Sequence, residues 1–525
     1  MTAQNPQPSS DDAALPAPEA VTGPDGPAEG SSSHDIPLPA ELARAMAANW
    51  DPAPPMPHPA GRNGSPSAGA ATYARNRAAL SAAFGGQLLV VPAGLPKVRA
   101  YDTDYSFRAF SGFTWLTGET VEGAVLVLAP AGAGPESGHT ATLYVREYEG
   151  PGTPGYFTNR AYGALWVGNV PTVADTATVL GLACRPLAEL RADLQSQHGR
   201  PTLVVRGVDA SVDALLPGAE AGRLPQVLDE LRLVKDDWEI SQLQAACDAT
   251  ARGFADVAAE LPALLATGGR RAERWLEGTF WRRARFEGNE VGYTSIVGAG
   301  QHGTTLHWWR NDGDLAEGQL LLADMGVEVD SLFTADVTRT MPVTGDWTDT
   351  QRKLYGAVLE AQEAGIAEVK AGADFMAAHQ AAMWVLADHL HSWGVLPVTA
   401  DVSCAADPDA PGAGLHRRYT LHSVSHMLGI DVHDCGAARA ELYKEGPLSA
   451  GYVLTVEPGL YFQPNDLSVP AEWRGIGIRI EDDILVTDGA AVNLSGGLPR
   501  QPDEITAWMR EVQSRPAGAT LPGPQ

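Results

Sequence analysis

The sequence predicts an α+β protein, with a smaller α/β domain followed by a larger domain whose helices lie outside a strongly bent, largely antiparallel sheet. Three observations lead there. The 525 residues exceed what one ordinary core holds, so two domains are expected. In the first ordered stretch, short strand-like runs alternate with helical periodicity. In the second, a hairpin and two later strand signals are separated by long helical patterns.

Residues 1–67 are rich in Pro, Ala, Gly and Ser and too poor in large apolar side chains to offset the entropy of ordering. They read as a disordered extension with a short helix at Leu38–Trp50. The first domain, 68–228, opens with a helix in TYARNRAALSAAF and a buried strand in GQLLVVPAG. Strands follow in AVLVLAP, ATLYVRE and PTLVVRG, with a helix from Leu182 to Gly199 before the last. The second domain, 229–514, begins with a long amphipathic pattern from Leu231 to Leu261 and continues with a helix at Trp275–Phe286 and a strand in GYTSIVGAG. Leu320–Gly326 and Phe333–Thr340 then form a hairpin. Helices are expected near Thr350–Lys370 and Asp374–Trp393, then a Pro-rich polar loop at Asp401–Gly414 and strands in YVLTVEPGLYF and GIGIRIEDDILV. Residues 515–525 read as a flexible tail.

A formal net charge of -27 argues against a nucleic-acid partner. Four cysteines without CxxC spacing suit a reduced compartment. No apolar run reaches the roughly 20 residues that cross a bilayer, and the first residues lack the basic and apolar regions of a secretory signal. The expectation is a cytoplasmic protein without membrane attachment.

Polar residues interrupt the second domain's apolar strands. The hairpin carries Asp324 and Asp336, and a pivot at Asp330 would set them directly opposite each other, with Cβ atoms about 4.5–5.5 Å apart. The segment LHSVSHMLGIDVHDCG supplies His422, His426 and His433. LTVEPG supplies Glu457, and in GIGIRIEDD the alternation places Arg479 and Glu481 on one face. Each has a bland reading: an edge aspartate, a satisfied histidine, a solvated acidic run, or an arginine that neutralises a neighbour. Jointly they place more carboxylate in a sheet than one arginine balances. Oxygen-dominated ligation with one imidazole favours manganese, with cobalt or zinc as alternatives. The set suits a two-metal centre with ions about 3.5–4 Å apart and a water between them.

These residues resemble the five-ligand centre of the pita-bread metallopeptidases. The flanking words IVGAGQHGTTLHW, LFTADVTRTMPVTG, HSVSHMLGIDVHD, LTVEPGLYF and RGIGIRIEDDI resemble, in order, the motifs of one branch, aminopeptidase P. RAYDTDYSFRAFSGFTWLTG and ELRLVKDDWEISQLQAA are similar to that family's first-domain signature and catalytic-domain start, so the resemblance runs from about Thr72 to Trp508. It implies a pita-bread catalytic domain behind a creatinase-like α/β domain. One departure stands out: most relatives separate the two aspartates by 11 residues, and here the interval is 12. An extra residue in the turn leaves both side chains facing one way, whereas a slip inside a strand turns one away.

The resemblance implies a role for each matching residue. Asp324 would bind one ion, Asp336 and Glu481 would bridge both, and His426 and Glu457 would complete the shells. Glu457 would also act as base and proton carrier for a metal-bridging hydroxide that attacks the carbonyl before proline. His433 and His307 would polarise that carbonyl, and His422 and Arg479 would line the proline subsite. Trp166 resembles a tryptophan that reaches the site from a neighbouring subunit, which implies a homo-oligomer, dimer or tetramer. The expected substrates are peptides with proline second, with the X–Pro bond in the trans isomer. A prolidase restricted to dipeptides is the nearest alternative. Methionine aminopeptidase fits less well because it normally lacks the first domain, and an inert binding module fits poorly because no ligand is missing.

Overall fold

A computed structural model of the chain describes residues 39–50, 56, 58–60, 65–101, 103–132, 134, 137–153 and 155–515. Most of the expected N-terminal extension and all but one residue of the expected tail lie outside the described residues. A helix at Ala40–Ala47 falls inside the segment where one was expected. Two compact units compose the chain. The smaller gathers the described residues of Met1–Met56 and Ala100–Asp102 with Tyr148–Thr172, and the larger holds the rest. In the smaller unit Trp50 meets Tyr156 edge-on at 5.4 Å. Trp166 lies in a short helix, Ala164–Val167, half exposed, its indole N–H donating to the Phe157 carbonyl at 2.9 Å.

In the larger unit, the first sheet has the strand order Ala183–Pro186, His139–Val145, Val125–Pro130, Leu88–Pro92, Thr202–Val204. Its two outer pairings are parallel and its two inner ones antiparallel. The central Leu88–Pro92 is wholly buried, as a continuous apolar run in a covered sheet should be. The expected helix from Leu182 to Gly199 is corrected here. Ala183–Pro186 is the edge strand and the helix covers only Leu190–Ser196. Pro186 explains the difference, since it disfavours helix at the preceding residue and can sit on a strand edge without breaking a ladder.

The second half opens with a 30-residue helix, Asp237–Ala266. Asp236 caps it, accepting from the Glu239 N–H, while the Glu239 carboxylate accepts from the Asp236 N–H. The same two carboxylates take partners from the first domain. Thr72 Oγ1 donates to Asp236 at 2.7 Å, Arg75 pairs with both, and the Trp115 indole donates to Glu239 at 2.8 Å.

The hairpin comprises Leu320–Met325 and Val337–Pro342, antiparallel, with Ile296–Ala299 on its other side. Its register corrects the expected pivot. Asp324 pairs with Thr338, not Asp336, so the turn centres on Ser331 and the aspartates are diagonal neighbours. The bridge Glu328↔Thr334 follows the same register. A shift of two positions keeps a side chain on its face, so both carboxylates still point the same way. Leu332 adopts a left-handed φ of 66° in the turn. Gly326 faces Asp336 in this register, where a Cβ would lie 1.8 Å from the Ala335 carbonyl oxygen.

The two late strand signals each divide. YVLTVEPGLYF becomes Val453–Val456 and Gly459–Phe462, and GIGIRIEDDILV becomes Ile476–Arg479 and Asp482–Leu485. Val453–Val456 pairs with Asp482–Leu485 and Gly459–Phe462 with Ile476–Arg479, all antiparallel. Glu457 and Glu481 occupy the two breaks, where the sheet bends. Helices Asp349–Ala367 and Ala377–Ser392 cover it.

Candidate metal centre and active site

The histidine segment is neither helix nor named strand. It runs beside Val453–Val456 through backbone bonds: Leu428 N–H to the Val453 carbonyl, Thr455 N–H to that of His426, and Glu457 N–H to that of Val424. This pairing sets His426 next to Glu457. His426 Nδ1–H donates to the Met427 carbonyl at 3.2 Å, which leaves Nε2 as the nitrogen that faces the carboxylates. Nε2 lies 3.3 Å from Asp336 Oδ2 and 3.6 Å from Glu457 Oε1. Asp336, His426 and Glu481 each bring a donor atom within 4.8 Å of the others'.

A cavity of about 860 Å³ collects the predicted residues. Asp324, Asp336, His426, Glu457, Glu481, His422, Arg479, His307 and His433 all line it. Trp166 belongs to the other compact unit. The sequence reading did not single out three hydroxyl residues that hold the set. Tyr293 Oη donates to Asp324 Oδ1 at 2.6 Å, and Thr338 Oγ1 donates to Glu481 Oε2 at 2.6 Å. Arg479 spans Asp324 Oδ2 (2.6 Å), Thr338 Oγ1 (3.1 Å) and Tyr461 Oη (3.0 Å). Thr338 was readable as the next residue on Asp336's face. Tyr293 and Tyr461 carried no signal beyond lying in strand-like words.

The electrostatics of the cluster are dominated by burial and by carboxylates facing one another. Burial pushes Glu481 well above the usual carboxylate range, and the charges of Asp336 and Glu457 add to it. Burial likewise lifts Glu457 to about 8, against the lowering influence of His426. Asp324 is raised by burial, and Arg479 opposes the rise. For His426 burial works downward, yet its bond to Asp336 and the charges of Asp336 and Glu457 raise it to about 9. Burial and mutual repulsion thus favour the neutral forms of Glu457 and Glu481, while Arg479 balances the charge of Asp324. Hard divalent cations fit the same donors, four carboxylates and one imidazole with its second nitrogen tied to a carbonyl.

His422 behaves oppositely. Its Nδ1–H donates to the Ser423 carbonyl at 2.8 Å, and Nε2 accepts from Tyr461 Oη at 2.8 Å, since Tyr461 oxygen already accepts from Arg479. Burial and the Arg479 charge lower it to about 4, so the ring is neutral at pH 7. Burial and His426 lower His433 also. His433 meets His426 edge-on at 4.5 Å, and His307 stacks on Trp309 at 5.3 Å.

The loop bearing His433 is clasped from the first domain and from the start of the second. Arg108 donates to Asp431 Oδ1 (3.1 Å), to the Ile430 carbonyl (2.7 Å) and to Glu328 of the hairpin (2.7 Å). Ser111 Oγ donates to the same Asp431 oxygen at 2.6 Å. Arg232 bonds Asp431 and Asp434, the residues flanking Val432-His433.

Comparison with known proteins agrees with this geometry. Residues 241–488 match metallopeptidase family M24, and residues 73–204 match the aminopeptidase P N-terminal domain. Xaa-Pro aminopeptidase 2 of Streptomyces coelicolor is 49% identical over 438 residues, 83% of this chain and 90% of that protein. Xaa-Pro aminopeptidase 1 of the same organism is 48% identical, over 85% and 89%. Zinc-substituted Escherichia coli aminopeptidase P in complex with product superposes with a TM-score of 0.74 at 28% identity, covering 85% of this chain and 99% of that one. Through a split sheet that brings Asp324, Asp336, His426, Glu457 and Glu481 to one cavity, and through this similarity along most of its length, the chain belongs to the Xaa-Pro aminopeptidases of metallopeptidase family M24.

Proposed function

We propose that the cavity releases the N-terminal residue from peptides with proline in second position. One observation supports the reading: four carboxylates and an imidazole, Asp324, Asp336, Glu457, Glu481 and His426, line one cavity with His422 and Arg479, which Tyr461 joins, in a chain 49% identical to an Xaa-Pro aminopeptidase. Asp324, Asp336, His426, Glu457 and Glu481 would hold two divalent cations, which when bound supply Lewis acidity to a water and to the carbonyl before proline. Manganese is the reading favoured by the oxygen-rich donors.

The chain's own groups do the rest. Asp324 and its carboxylate neighbours receive the free α-amine, which restricts the reaction to peptide N-termini. Glu457 takes a proton from the attacking water and returns it to the departing ring nitrogen. His433 and His307 direct N–H groups toward the carbonyl oxygen, where negative charge develops. His422, neutral and fixed between Tyr461 and Ser423, offers a ring face to the proline, and Arg479 closes the subsite's base. Trp166, half exposed, is the candidate contribution to a neighbouring copy in a dimer or tetramer. A cytoplasmic setting accords with four free cysteines and no described helix long and apolar enough to cross a membrane.

The test compares Ala-Pro-Ala with Ala-Pro, using chelated protein reloaded with manganese. Cleavage of the tripeptide before proline, faster than of the dipeptide, is expected. A reversed preference would mark a dipeptidase, and cleavage of neither would remove the peptidase reading.

A further inference from the structure

A second cavity of about 840 Å³ abuts the catalytic one, and His422 and Ser423 line both. Its walls are the start of helix Ala377–Ser392, the Pro-rich loop at 401–414 that no step of the reaction uses, and the turn Leu415–Arg418.

The lining is built for an anion. Arg417 is exposed, and no carboxylate among the described residues pairs with it, in a chain of net charge -27. Its neighbour Arg418 is by contrast committed to Asp466 at 2.9 Å. His379 Nδ1 accepts the Val424 N–H at 3.3 Å, so in the neutral ring the proton sits on Nε2, for which the described residues offer no acceptor. Burial lowers both His379 and His416, and Arg417 adds to the lowering in each. Both shifts favour the neutral rings, and of the cavity's two arginines Arg417 is the one that no described carboxylate pairs with.

Geometry then gives the occupant. Resting on the reading above, a peptide places its amine among the carboxylates and its proline against His422 and Arg479. The two cavities share His422 and Ser423, so a chain that leaves the proline subsite on the His422 side, at up to about 3.6 Å per residue, leads into the second cavity. We propose that the second cavity binds the C-terminal carboxylate of tri- and tetrapeptides, with Arg417 as its charge partner and His379 Nε2–H as a hydrogen-bond donor. Short peptides with a free C-terminus are then the favoured substrates.

Kinetics on Ala-Pro-Ala, its C-terminal amide and Ala-Pro-Glu amide test this in the manganese-loaded full chain. The free acid should exceed the amide in kcat/KM by about tenfold, the worth of one charge-assisted hydrogen bond, and the difference should lie in KM. Raising the salt should shrink it. In Arg417→Ala the acid-to-amide ratio should fall to about one, and in Arg417→Glu it should invert. Ala-Pro-Glu amide should track the plain amide. Equal rates for acid and amide in the parent protein would overturn the assignment. So would a ratio that survives Arg417→Ala but vanishes in Lys444→Ala, which would move the carboxylate to the other end of the catalytic cavity. An Arg417-dependent gain for Ala-Pro-Glu amide alone would overturn it in favour of an acidic third residue. Cleavage of none of the three peptides would instead remove the peptidase reading itself.

Discussion

Stripping the metals from this protein should make its stability fall as pH rises from 6.5 to 8, the reverse of what salt-bridged surface carboxylates produce. Without cations, Glu457 titrates at about 8 in the folded chain, against an ordinary value of 4.5. The folded state therefore holds a proton that the unfolded state has lost, and each pH unit inside that interval costs about 1.4 kcal/mol. Over 1.5 units the loss is roughly 2 kcal/mol. His426, raised to about 9, has the same sign: its contribution is complete below 6.5 and fades as pH climbs toward 9. His422, lowered to about 4, acts the other way, but only below 6.5, where the unfolded ring begins to protonate. Between 6.5 and 8 Glu457 and His426 therefore act in the same direction and His422 contributes no slope, so the roughly 2 kcal/mol from Glu457 is a lower bound on the loss. Thermal unfolding of chelated protein in that range should show a midpoint dropping by a few degrees. Added manganese should raise the midpoint and flatten the slope, because cations replace the protons. A chelated midpoint that is level or rises with pH, or one indifferent to manganese, would refute the electrostatic account of the cage.

Three further outcomes are expected. Glu457→Ala should abolish turnover, a loss of at least about a hundredfold measured by release of the first residue from Ala-Pro-Ala; retained activity would remove Glu457 as proton carrier. Arg108→Ala unclasps Asp431, Glu328 and the Ile430 carbonyl, so kcat should fall about tenfold with a smaller change in KM, and Arg108→Lys should recover part of it; equal rates would mean that the His433 loop holds itself. Gly326→Ala would press a methyl into the Ala335 carbonyl, so unfolding should move by about 3 kcal/mol and metal content should drop, and a variant with unaltered unfolding and metal content would show that the backbone yields there.

Much of the centre was legible because its signals are local. Asp324 and Arg479 sit in short apolar strands, and Asp336, Glu457 and Glu481 sit at the ends of others, where a charge is conspicuous and alternation assigns a face. The hairpin register was less legible: Asp330 and Ser331 are both plausible turn centres, and the choice changes the partner of Asp324 but not its direction. Pro186 should have been decisive against helix, yet the apolar spacing of the following residues masked the edge strand. The supports contributed by Tyr293, Tyr461 and Arg108 were invisible, since nothing in a tyrosine or arginine codon reveals a partner 18 to 323 residues away. Such contacts are properties of the assembled chain.

The shared cap at Asp236 and Glu239 bears on how this chain can be cut. Sequence comparison suggests a seam between residues 204 and 241. Yet the carboxylates that start the longest helix are held by Thr72, Arg75 and Trp115 from across it. A fragment beginning near 241 would lose both cap residues and begin its helix with open N–H groups. One beginning near 229 would keep Asp236 and Glu239 but strip them of their partners, along with the Arg108 clasp on Asp431. Limited proteolysis in the seam should therefore yield nicked protein whose halves stay associated, and a catalytic half expressed alone should need the other supplied in trans.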